Sequence, residues 1–570
     1  MENYSGSLQE QQAFLSAPKN QEMKSVYIQR PVPNNRKVLQ SSEEQKQAER
    51  QKMEKSARWF KDLAPGVVLY AIVYAICMYK NPEGIGVPFG VGATLYFFCY
   101  YAKKFYGTAR KCDMFLVIAT VILGVLTCTT DSDILVLLNK MGIVLLAGIY
   151  LLELFFDVTG WSFQAYVKAL FFAFLGGVSM MAAPFLDGPA FIKLRRLQKD
   201  KVPMDEKKKE KYQALLIGFI IAIPVLFFLV ILLSEADIFF NELMENAMDA
   251  LIYWEWPEFF SRDFFGFIGT GVVMFVFGYG IITYIHTKDT IVKETTGQGM
   301  KANPYIAISC SSMIAIVYVL FVGIQIFGLF MEALTLPEGY TYAEYARQGF
   351  FQLAFVCFFN VCMVLGVVSC FEENTILKWI MTVITACTYV MLVSAAYRML
   401  LYISVYHLTF LRVFVLWAIA VMAVVMVGTT VFVFKKEFPI FRFMMVSITV
   451  LYIGFVAAHP DYWIAKYNIE QDKTEEGIDE GQLVFNLSLD AAIPVLEYYK
   501  DKLEDPEIYY NAYHEEYRLV AGMDRIMSYC NRIEKAEKES NIRKFNFSKA
   551  LAVYKWKQYE MPEYAKNISE

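Results

Sequence analysis

The sequence predicts an all-α, polytopic transmembrane helical bundle of about 11 spans, within a range of 10–12, followed by a small helical C-terminal extramembrane domain. Three observations carry this. Apolar residues make up 56% of the 570 residues and charged residues 19%, against roughly 45–50% and about 25% in soluble domains. The apolar residues are gathered into blocks of about 16–25, long enough to cross a hydrocarbon core of about 30 Å at about 1.5 Å per residue. Beyond residue 458 the hydropathy falls and helical periodicity continues in an amphipathic form.

Residues 1–63 are rich in Gln, Glu, Lys and Ser and read as a largely disordered cytoplasmic arm, with a charged helix from about Ser41 to Asp62. They hold no apolar core, so no cleavable signal peptide is expected. The transmembrane domain is expected over 64–458, with apolar blocks at 64–79, 86–102, 113–128, 134–155, 165–186, 214–233, 264–285, 305–331, 349–370, 376–399, 412–434 and 440–458. Asn139 and Lys140 interrupt the fourth block; Gly176, Gly177 and Pro184 break the fifth.

Basic residues in short connections mark the cytoplasmic side. The segment 187–213 carries nine of them, and Lys103, Lys104, Arg110 and Lys111 fill another connection. Lys288, Lys293 and Lys301 fill a third, and Lys435 and Lys436 a fourth. The connection 234–262 holds seven acids and only Arg262, which places it outside. Twelve crossings would put the nine cations outside. The simplest repair makes 165–186 re-entrant or interfacial, leaving eleven spans with the N-terminus inside and the C-terminus outside. If the interrupted fourth block fails to cross, the fifth crosses instead and the later topology is unchanged. The domain 459–570, with 22 acids and 15 bases, is then extracytoplasmic; Asn546 or Ser548 is expected to cap its last helix.

A net charge of −4 gives no footprint for nucleic acid. The ten cysteines lie mostly in apolar blocks with no C-x-x-C pair, as small buried hydrophobes do. No H-E-x-x-H, phosphate-cradling glycine loop or metal-ligand spacing is present, so no catalytic, cofactor or metal residues are assigned and the cofactor expectation is none.

The informative polar residues sit where spans meet the outer boundary. Thr341 and Glu344 stand as a capping box, Arg347 lies one turn on, and Tyr342 fits an aromatic belt. Arg398 lies near the end of the 376–399 block, with Tyr402 a turn later and Arg412 at the next block. Asp237 follows the 214–233 block, where helix capping is the plain alternative. Arginines at that depth snorkel or need anions, so a polar cluster of Asp237, Glu344, Arg347, Arg398 and Arg412 is expected, with Tyr342 and Tyr402 beside it. It would serve as packing glue, an anion or headgroup site, or a docking surface for the tail.

At these motifs the chain resembles a bacterial family of integral membrane proteins known as domain of unknown function 4153/4173. The runs that carry the resemblance are Leu233–Phe239, Gln325–Phe330, Thr341–Leu353, Ser394–Ile403, Tyr406–Arg412, Ile464–Asn468 and Leu487–Leu496. It covers roughly 214–560. His407 stands where the family pattern has glycine before Leu-Thr. The resemblance implies a bacterial plasma-membrane home and importance for Tyr342, Glu344, Arg347, Arg398, Arg412, Asn468 and Asp490, but no activity; Asn468 and Asp490 would then be tail contacts to the membrane part, with helix capping and helix-surface solvation as the plain alternatives.

Three functions remain open: a non-enzymatic membrane scaffold or sensor, a transporter or channel for an unidentified solute, and an enzyme acting on a lipid-linked substrate with Asp237 or Glu344 as base. Missing catalytic signatures favour the first; few ionisable residues inside the spans weigh against the second. The expected partners are the lipid bilayer and a membrane or extracytoplasmic protein, with no nucleic acid.

Overall fold

A computed structural model describes residues 35–107, 113–158, 163–199, 262–287, 301–327, 350–471, 480–504 and 516–558, with Trp161 and isolated positions between 218 and 244. Every element among them is helical, apart from one isolated bridge between Ala302 and Phe371. In chain order they are α1 (Asn35–Met78), α2 (Gly86–Tyr106), α3 (Met114–Thr127), α4 (Asp133–Phe155), α5 (Phe163–Ser179) and α6 (Ala183–Lys199). Then come α7 (Arg262–Thr287), α8 (Pro304–Gln325), α9 (Phe350–Cys370), α10 (Thr375–Tyr406), α11 (Phe410–Phe434) and α12 (Ile440–Ala457). The tail holds α13 (Pro460–Glu470), a π-helical turn (Gln482–Asn486), a 3₁₀ turn (Leu489–Ala491), α14 (Ala492–Glu504), α15 (Glu516–Lys538) and α16 (Phe547–Gln558).

Eight of the described helices are long and apolar enough to cross a membrane, or nine if the bent pair α5–α6 counts as one. This is a multi-pass helical membrane architecture. α3, at 14 residues, is about 21 Å long, short of a full hydrocarbon core. α4 runs unbroken through Asn139 and Lys140. Asn139 is fully buried and accepts a hydrogen bond from the Tyr452 hydroxyl of α12 at 2.8 Å, so the interruption in the hydropathy is a helix–helix contact.

The 165–186 block becomes two helices bent by 50°. A Cβ on Gly280 of α7 would lie 2.5 Å from the Gly177 carbonyl oxygen, and one on Gly176 would strike the Tyr284 ring. The glycine pair therefore lets two backbones touch rather than merely loosening a helix. Phe163 and Tyr166 pack on Phe441 at the start of α12. The Tyr279 hydroxyl donates to Asp187 of α6 at 2.8 Å, and Phe191 lies against Phe60 of α1.

α1 is continuous over 44 residues, and its last turns lead into the loop that meets the tail. Trp59 inside it donates to Thr283 at 2.9 Å and stacks on His286 and Phe105. A buried polar set joins α8, α9 and α10: the Tyr318 hydroxyl donates to Asn360, whose amide donates to Thr388. These groups satisfy one another, as interhelical polar contacts in bilayers do. Asn360→Leu strips both partners; a loss of about 1 kcal/mol in denaturant-resisted unfolding is expected, within the measured range for such bonds.

Candidate functional site at the docked tail

Short polar turns between apolar helices carry the site. Asn81 is 1% exposed and organises the α1–α2 turn: its side chain accepts from the Gly84 N–H at 2.9 Å and donates to the carbonyls of Cys77 and Arg543. The Ile85 N–H donates to the Phe545 carbonyl at 2.9 Å and the Gly86 N–H to that of Arg543 at 3.2 Å. At the α3–α4 turn, the Phe547 N–H donates to the Cys128 carbonyl at 2.9 Å. Asn546 caps α16 through the Lys549 N–H and sends its amide to the carbonyls of Glu83 and Thr130. Two turns of the bundle and the segment 543–549 thus exchange backbone groups that otherwise lack partners.

Asp490 lies at the centre. The Ser488 hydroxyl accepts from its N–H and starts the 3₁₀ turn. Its carboxylate accepts from the Thr130 hydroxyl at 2.5 Å, the Asp131 N–H at 2.7 Å and the Ser548 hydroxyl at 2.5 Å, with His459 Nδ1 at 3.5 Å. One side chain therefore ties a bundle turn, the last helix and the α12–α13 junction. Asp131 accepts from the Leu489 N–H at 3.0 Å and faces Lys549 at 3.2 Å. Lys549 also pairs with Glu83. Asp461 accepts twice from Ser488, by N–H and hydroxyl, at 3.2 and 2.6 Å. Arg532 donates to the carbonyls of Val484 and Leu487.

Burial dominates the electrostatics. It raises the carboxyls of Asp131, Asp461 and Glu83 above their usual range, although hydrogen bonds and Lys549 pull Asp131 and Glu83 back. The Asp490 hydrogen bond raises His459 against its own desolvation. For Lys549 burial lowers the value, but the Glu83 bond and the nearby carboxylates together outweigh it and raise it.

Among the residues singled out from sequence, Asn468 lies in a second contact. Its side-chain oxygen accepts from the Leu408 N–H and its amide donates to the Leu408 carbonyl, both at 2.9 Å; Gln482 donates to the same carbonyl. This fastens the α10–α11 turn to the tail. Arg412 donates to the carbonyls of Tyr406 and His407 and lies over the Tyr402 ring at 4.4 Å. Arg398 is buried within α10 and donates to Gln325 at 3.4 Å, beside Ser394. Asp237 accepts from the Phe240 N–H at 2.8 Å. Tyr342, Glu344 and Arg347 lie outside the described residues. The structure thus brings Arg412, Tyr402 and Asn468 to one turn, and sets Asp490 in a separate cluster. Sequence reading missed Asn81, Thr130, Asp131, His459, Asp461 and Lys549. The available signal was the density of polar residues in Asn81-Pro-Glu-Gly84 and Thr129-Thr-Asp-Ser132, turns too short to need so many.

His407 has φ 60° and ψ −178°, a region open essentially to glycine. Glycine in the resembling pattern is thus explained by backbone geometry, and the departure is a strained histidine. His407→Gly is expected to stabilise the chain by about 1 kcal/mol, whereas His407→Ala should not; midpoints of denaturant unfolding check both. A Cβ on Gly84 would lie 2.6 Å from Lys544 Cα and 2.7 Å from the Arg543 carbonyl oxygen. Gly84→Ala should therefore release segment 543–549 to protease without altering membrane insertion.

Fold and site together define a multi-pass helical membrane protein with a helical tail docked on the turns at one end of its bundle. The chain belongs to the family described as a domain of unknown function (DUF4153), whose model matches residues 117–498. That match takes in Thr130, Asp131, His459, Asp461, Ser488 and Asp490, and stops before α15 and α16. No curated protein and no solved structure matches the chain.

Proposed function

We propose that the protein is a non-enzymatic membrane scaffold or sensor of the bacterial plasma membrane, with eleven spans, a cytoplasmic N-terminus and an extracytoplasmic tail latched to the bundle. Asp490 carries the reading, since its carboxylate gathers donors from a bundle turn, the last tail helix and the α12–α13 junction. A buried carboxylate surrounded by donors is suited to holding parts together, not to attacking a substrate. The contacts of α5–α6 support a re-entrant pair: Phe441 begins α12, while Tyr279, Ile281 and Tyr284 belong to the last turns of α7. The basic residues of α6 then stay on the cytoplasmic side, as the charge rule asks. Arg398 and Arg412 belong to the polar boundary of the same design, near the latch but not in it.

Two measurements test this. Cysteines replacing Asn541 and Lys52, in a background without native cysteines, should react with an impermeant reagent from outside and only after permeabilisation, respectively; the reverse pattern inverts the topology. Proteoliposomes holding the full chain should show neither solute uptake nor ion conductance. Either activity would replace the scaffold reading with a transporter.

A further inference from the structure

The α10–α11 turn separates two crevices at the boundary between the apolar helices and the tail. The larger, about 540 Å³, lies among Ile134 and Leu138 of α4, Phe410 and Phe414 of α11, and Gln482 and Asn486 of the π-helical turn. The smaller, about 170 Å³, lies among Phe350, Phe351, Met399, Tyr402 and Arg412. Thr409 and Leu411 line both, so the crevices adjoin. Their walls are mainly apolar, and α4, α10 and α11 are all candidate spans, so the openings face hydrocarbon at the level where headgroups begin.

Among the described residues lining the two crevices, Arg412 is the one cation. The Arg412 guanidinium is partly buried, rests on Tyr402 and spends only Nη1 on backbone carbonyls. No carboxylate pairs with it among the described residues. A guanidinium at a membrane boundary, flanked by apolar crevices and with no described carboxylate beside it, is matched by a phosphate that brings its own hydrocarbon. We propose that this junction binds a glycerophospholipid from the tail-side leaflet, its phosphodiester on Arg412, its acyl chains in the two crevices and its glycerol region near Gln482 and Asn486. The bound lipid would lie between α4, α11 and the tail, and so add to the same dock that Asn468 fastens through Leu408.

The test is native mass spectrometry of the full chain in detergent, titrated with phosphatidylglycerol, diacylglycerol of the same chains, a polyprenyl phosphate and inorganic phosphate. Phosphatidylglycerol should bind as a discrete adduct at least about tenfold tighter than diacylglycerol. Arg412→Gln should remove that preference. Because Arg412 also holds the turn, Leu138→Trp, which fills the larger crevice and leaves the guanidinium in place, should weaken phosphatidylglycerol about tenfold with the tail still protease-resistant. Equal binding of diacylglycerol overturns the role of Arg412, and unchanged binding by both variants overturns the site. Tighter binding of polyprenyl phosphate, or occupancy by inorganic phosphate alone, overturns the glycerophospholipid as occupant.

Discussion

Asp490→Ala is expected to undock the tail while leaving the bundle inserted. The substitution leaves the hydroxyls of Thr130 and Ser548 and the Asp131 N–H buried without their acceptor. Each such orphan costs on the order of 1–3 kcal/mol, so the three together should cost docking at least about 3 kcal/mol. Asp490→Asn keeps the shape but presents an amide where donors converge, and should recover only part. Limited proteolysis of the full chain reads this directly, since the connection to α16 should become cleavable in Asp490→Ala. An unaltered cleavage rate would show that Asp490 does not hold the tail.

Docking should also tighten as pH falls from about 8 to about 5. Asp131, Asp461 and Glu83 have raised values in the docked state. Each therefore contributes stability that is full below its ordinary range near 4 and is lost as pH rises through the raised value. His459 is raised as well, so its contribution is full below about 6.5 and is lost above that. Lys549 has the same sign but titrates above this window. Arg532 from α15 and Lys549 from α16 are the basic groups that face the cluster. Protease resistance of the tail at several pH values tests the slope. His459→Gln should flatten its upper part and Asp461→Asn its lower part; a tail that docks better at alkaline pH would reverse the assignment.

Helix identity was legible because block length and apolar content are local properties. Hydropathy could not show that Asn139 continues α4, since the compensating Tyr452 hydroxyl comes from α12. Nor could it show that Gly176 and Gly177 make room for α7, because that requirement belongs to the neighbour. Asn468 and Asp490 were singled out only through the runs that resemble the family. Their partners were not, since Thr130, Asp131 and Asn81 look like ordinary turn residues until the tail folds back on them. The tertiary reunion of positions more than three hundred residues apart is what no window along the chain contains.

The continuous first helix measures about 66 Å at about 1.5 Å per residue, roughly twice the thickness of a hydrocarbon core. Pro65 removes one backbone hydrogen bond within it, yet the helix continues through that point, so a push or twist applied at its N-terminal end is passed on toward the other. That far end is the loop whose Ile85 and Gly86 amides grip Phe545 and Arg543. On the proposed topology the molecule therefore contains a lever: whatever seizes the protruding half on one side of the bilayer works the clasp on the other.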